Sequence, residues 1–214
     1  MTYSDVLSYA VNFLELIAAV FALIHYPKYV QSTERYFLHF LWLTFFIDSV
    51  VGVFFSTFFE FDNIWIYYAY TGFSFSFYCW WYYKVLLKSL HKILSSVFFI
   101  IFLIAFFTGI FYLNMHKYIF VIGALLVLIL TCLHLHQLSN SDYTLKIKYK
   151  LSFWISTALV LFNIGMFPLI LLSNYFNVRM DNVVFTNILF FLNLVLYTCY
   201  IIGFIWTKQK YNHF

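Results

Sequence analysis

Two carboxylates, Glu15 and Asp48, stand inside apolar runs that contain no Lys or Arg to neutralise them. Two such groups at one depth can share a proton, hold a cation, or act as an acid and base pair toward a bound molecule. Around them the chain offers neutral polar residues in similar surroundings: Asn12, one turn before Glu15, and Ser74, Asn163 and Asn193 in later runs. Helical spacing places Ser8, Asn12, Glu15, Ala19 and Ala22 on one stripe. Thr44, Asp48, Gly52 and Ser56 form another. Stripes of small and polar side chains let helices approach closely, so these two runs are expected to face each other or a shared cavity.

Other chemistries lack their parts. His25, His39, His134 and His136 map to the ends of runs, and His134 and His136, two residues apart, point to nearly opposite sides of a helix. There is no HExxH zinc motif and no GxSxG nucleophile motif, and no His neighbours Ser74 or Ser76. The six glycines form no phosphate loop, and the last run has no Lys for a Schiff base. The reading therefore assigns no catalytic residue, no metal and no cofactor. The ligand-binding candidates are Glu15, Asp48, Asn12, Ser74, Asn163 and Asn193.

The elements that position these residues follow from composition. The 214-residue chain is 64% hydrophobic and 9% charged, against about 45–50% and about 25% in soluble domains. Seven runs approach the roughly 20 residues needed to cross a bilayer: 4–26, 36–58, 63–84, 92–113, 118–139, 151–173 and 183–207. None alternates polar and apolar residues as barrel strands do. The expected fold is all-α, a single transmembrane domain of seven helices over residues 1–214, with connections too short to hold another domain. At about 1.5 Å per residue, Glu15 and Asp48 both lie about 15–17 Å deep. The fourth run has no polar residue at that depth, so it is expected to face lipid or a sister subunit. Asn163, Gly165 and Pro168 together can kink the sixth run.

Charge gives the orientation. Ten of the 12 basic residues lie in or beside alternate connections and the C-terminal tail: Lys28, Arg35, Lys84, Lys88, Lys92, Lys146, Lys148, Lys150, Lys208 and Lys210. Only Lys117 and Arg179 lie opposite, beside Asp5, Glu60, Asp62 and Asp181. The positive-inside rule then puts the N-terminus outside and the C-terminus in the cytoplasm. Contact with membrane lipid accounts for the basic loops, and nucleic acid is not expected as a partner. Without a positive n-region and with Glu15 inside its run, the first helix reads as a span and not as a cleaved signal peptide. Trp80, Trp81, Trp154 and Trp206 fall near cytoplasmic ends, as interfacial anchors do.

The strings FLELIAA (13–19), FLWLTFFID (40–48), FWISTALVLFNIGMFP (153–168) and YTCYIIGFIW (197–206) resemble a family of small seven-helix bacterial proteins with no assigned activity. The resemblance implies a bacterial inner membrane and carries over no functional residues. A looser resemblance, to sugar transporters built as three helices, a linker helix and three more, rests on the apolar fourth run. It also rests on a weak match of ELIAAVFALIH (15–25) to ALLVLILTCLH (124–134).

Three functions are open: a bundle binding a small molecule or lipid for transport or sensing, proton- or cation-coupled through the two carboxylates; a structural or accessory subunit docking a partner membrane protein or a second copy; and an intramembrane lipid-modifying enzyme. Reporter fusions test the frame they share. Fusions after Lys150 and Phe214 should read cytoplasmic and those after Asp62 and Asn177 external, and a cytoplasmic signal at Asp62 would overturn the orientation.

Overall fold

A backbone surrounded by hydrocarbon must satisfy its own hydrogen bonds, and long apolar stretches do so as helices. The computed structural model describes residues 3–52, 64–113, 116–140, 144–175 and 182–212, and among them the regular structure is entirely helical. The long helices are α1 (Tyr3–Ile24), α2 (Arg35–Phe45), α3 (Ile64–Val85), α4 (Ser89–Thr108), α5 (His116–Ser139), α6 (Leu151–Tyr175) and α7 (Asn182–Trp206). Two widen into π-helix: α2 continues through Phe46–Gly52 and α4 through Gly109–Leu113.

Five of these helices, α1, α4, α5, α6 and α7, are long and apolar enough to cross a membrane. That makes the chain a multi-pass, membrane-type bundle. The second and third expected spans differ for separate reasons. Residues 53–58 of the second lie outside the described residues, as do Glu60, Asp62 and Asp181, expected at the external side. Helix α3 has the length, but its many Tyr and Trp residues, including Tyr67, Tyr68, Tyr70 and Trp80 to Tyr83, carry polar groups that lower its hydropathy.

Packing closes the helices into a ring. Helix α7 lies between α1 and α6, α5 packs on α6 and α3, and α2 packs on α1 while its π stretch touches α3. The small stripe of α1 explains the close approach: Ala18, Ala19 and Ala22 are fully buried, and the Tyr29 hydroxyl donates to the Ala22 carbonyl at 2.6 Å. At the α6–α7 contact a Cβ on Gly203 would stand 2.6 Å from the Trp154 Cβ, and one on Gly165 would run into the Leu192 side chain. Helix α6 passes through Pro168 as one element.

Helix α4 sits outside the ring on α3 and α5. Its face carrying Ile93, Val97, Ile100, Ile104, Phe107 and Phe111 is exposed, in keeping with a helix that faces lipid or a sister subunit. Of the expected tryptophan anchors, Trp81 is a correction. It is fully buried against Phe37, Tyr82 and His134, while Trp80 faces outward. Neighbours on a helix are about 100° apart, so only one of the two can face lipid.

The basic connections meet at one end. Lys208 N donates to the Tyr149 carbonyl at 3.1 Å, Lys28 Nζ to that of Ile205 at 3.0 Å, and Leu87 N to Gln137 Oε1 at 3.1 Å. Buried Asn212 ties the tail down, accepting from Leu151 N at 3.2 Å and donating to Thr207 Oγ1 at 2.6 Å. At the other end Tyr3 of α1 donates to Asn187 of α7 at 2.7 Å. Even-numbered crossings between the basic segments are the arrangement that the charge pattern requires.

The two faces of α4 give a direct test. Ile104→Ala, on the outer face, should change stability by less than about 0.5 kcal/mol, and Phe102→Ala, on the inner face, should cost about 3 kcal/mol or more. Thermal unfolding in detergent reads both, and equal losses would place the outer face against protein.

Candidate functional site

Helices α1 and α2 bring Glu15 and Asp48 into contact, with their carboxyl groups at hydrogen-bonding range. Glu15 is buried at 3% exposure, and Tyr197 of α7 donates its hydroxyl to Oε1 at 2.8 Å. Glu15 Oε2 is buried with no hydrogen-bond partner among the described residues. A contact between two carboxyls is a hydrogen bond only when one carries the proton, so the geometry is that of a proton-sharing pair or of a cation ligand set. Tyr70 of α3 completes the group, with its hydroxyl near Thr44 and within electrostatic reach of both carboxyls.

Local structure sets the pair. Asp48 stands in the first turn of the π stretch, where one extra residue per turn rotates the following side chains away from ideal helical register. Just before it, buried Thr44 donates to the Phe40 carbonyl at 3.0 Å. Glu15 sits on the small stripe of α1, so the α2 and α7 backbones come close enough for short contacts.

The other expected members stand apart from this contact. Asn163 is buried, but its amide donates to Leu159 O within α6 at 2.8 Å. Asn193 spends its own amide on Leu189 O within α7 at 2.9 Å. Ser74 is buried with its hydroxyl unpartnered among the described residues. Asn12 is half-buried one turn from Glu15. Sequence reasoning missed Tyr197 and Tyr70 because two tyrosines among 19 do not stand out. The usable signal was position: Tyr197 lies one turn beyond Asn193, on the same face.

Neither carboxyl lines any of four cavities in the bundle. Two, of about 500 and about 540 Å³, are apolar grooves between α3 and α4. One of about 610 Å³ lies outside the basic end beside Lys148 and Trp206, and one of about 250 Å³ lies within that end. Among the described residues no three His, Cys, Asp or Glu side chains converge as metal ligands. The cysteines Cys79, Cys132 and Cys199 are free thiols.

Fold and site together define a multi-pass helical bundle with an acid pair, Glu15 buried and Asp48 half-buried, between its first two helices. Compared with protein families, with curated proteins and with solved structures, the chain finds no match in any of the three.

The bond to Glu15 distinguishes two buried tyrosines of α7. Tyr197→Phe should cost about 1–3 kcal/mol, because a buried carboxyl oxygen loses its donor. The Tyr200 hydroxyl has no hydrogen-bond partner among the described residues, with Tyr78 beside it outside bonding geometry. Tyr200→Phe should therefore be neutral or stabilising in the same thermal assay, and equal effects would show that the Glu15 bond contributes nothing.

Proposed function

We propose that all seven helices cross a bacterial inner membrane with the N-terminus outside. In this reading the bundle binds a small molecule or lipid for transport or sensing, and a proton or cation held by Glu15 and Asp48 is the coupled species. One observation carries it: two carboxyls in contact in a bundle whose spans carry Lys only at their ends. Ionisable groups within membrane spans are expensive to keep, and proton relays and ion sites are where they recur. The π stretch at Asp48 adds support, since such segments concentrate at functional sites. Three helices meet at the pair, so a change in its protonation alters the contacts of α1 with both α2 and α7.

A second reading, a structural or accessory subunit, is favoured by the absence of either carboxyl from the four cavities. There the pair would only lock α1 to its neighbours. Glu15→Gln and Asp48→Asn separate the two, because each amide keeps the shape and removes the titrating group. Coupling predicts folded variants whose ligand response no longer depends on pH, where the parent's response does. A structural lock predicts unchanged pH profiles in all three proteins, and that result would end the coupling reading.

A further inference from the structure

The cavity inside the basic end is built from six separate segments of chain: the α1–α2 connection, the ends of α3 and α5, the starts of α4 and α6, and the C-terminal tail. Its walls carry Lys84, Lys92 and Lys150 against a single carboxylate, Glu34, with His134 and Ser152 beside them. Three of these are inside the protein: His134 is 1% exposed, and Lys150 and Glu34 are each 7% exposed.

The hydrogen-bond bookkeeping gives the sign of what fits. Burial pushes the Glu34 carboxyl above the ordinary range, and Ser32, Ser152 and the Lys150 charge beside it oppose that shift. Burial lowers the Lys150 ammonium, and Glu34 opposes that shift. Gln137 Oε1 is taken by Leu87 N and Asn212 Oδ1 by Leu151 N. The wall's two side-chain amide oxygens are thus taken. The wall also carries the Lys84 and Lys92 side chains, the Gln137 amide and the His134 ring. That ring is fixed by Nδ1, which bonds Ser156 Oγ at 2.8 Å, while Ser156 bonds the Tyr82 hydroxyl at 3.1 Å.

We propose that this cavity is a binding site for a phosphate group. Three cations against one carboxylate leave two positive charges, the complement of a phosphate monoester, which carries about two negative charges at neutral pH. Lysine is a common phosphate ligand, and its charge-assisted bonds strengthen away from water. At about 250 Å³ the space holds a compact anion, below the roughly 300–1,000 Å³ of sites for drug-sized ligands. The group arrives either on a soluble phosphate compound or on a phospholipid head. The site does not depend on the carboxyl pair, so it stands or falls separately from the coupling reading.

The test uses the full chain, reconstituted in phosphatidylcholine nanodiscs, with inorganic phosphate as the probe and Lys84→Gln/Lys92→Gln as the variant. Both lysines lie at the solvent side of the wall, and the Glu34 and Lys150 pair is untouched, so the variant should unfold at the parent's temperature. Phosphate should raise the parent's unfolding temperature saturably and weaken by at least about tenfold in the variant. A second arm replaces a tenth of the phosphatidylcholine by phosphatidic acid. If the lysine-dependent stabilisation appears only in that arm, the group is a lipid head, and if free phosphate produces it, the source is soluble. A response to neither probe, or one equal in parent and variant, overturns the proposal.

Discussion

A carboxylate carried into the middle of an apolar helix must find a partner, and the partners of Glu15 come from the two helices that flank α1. Asp48 reaches it from α2 and Tyr197 from α7, the last helix of the chain. Satisfying this one group therefore fixes the lateral order of three helices and closes the ring. The alanines at 18, 19 and 22 bring the backbones near enough for short polar contacts, and the π stretch of α2 sets Asp48 against Glu15. Burying an unpaired polar group costs several kcal/mol, whereas apolar side chains slide past one another with little penalty. The polar contact thus specifies register in a way that the surrounding Phe and Leu cannot.

The two ends of the bundle are held by different chemistry. At the basic end Asn212, Lys28 and Lys208 bind backbone carbonyl and amide groups of neighbouring segments, and Lys148 and Lys208 lie over the Tyr149 ring at 5.3 and 4.2 Å. Aromatic faces take up cations that have no carboxylate partner. At the opposite end Tyr3 of α1 donates to Asn187 of α7, a bond between two neutral side chains. The positive charge that reads as an orientation signal is thus also the material from which one end is stitched.

Helix content and the outward place of α4 were legible in the sequence, because apolar run length and the lack of a deep polar residue are local properties. The meeting of Glu15 and Asp48 was legible too, since equal depth and matching stripes constrain which faces can touch. The belt of asparagines was not. An amide on a short stem satisfies itself on its own helix, as Asn163 and Asn193 do, whereas the long, rigid arm of Tyr197 crosses to a neighbour. Polarity alone ranks Asn above Tyr; reach decides the contact. Trp80 and Trp81 show the same limit, since adjacency in sequence says nothing about which of the two turns inward.

The lateral neighbours of α1 bear on the order in which the bundle is made. Helices enter a bilayer from the N-terminus onward, so α1 is in place while α7 is still on the ribosome. Until α7 arrives, the Tyr197 hydroxyl is missing and one side of Glu15 has only lipid against it. The first helix is then the least comfortable member of the half-made protein, held by α2 alone. A bundle arranged this way withholds its central bond until α7 is made, and any chain cut short before α7 carries an uncovered acid in its first helix.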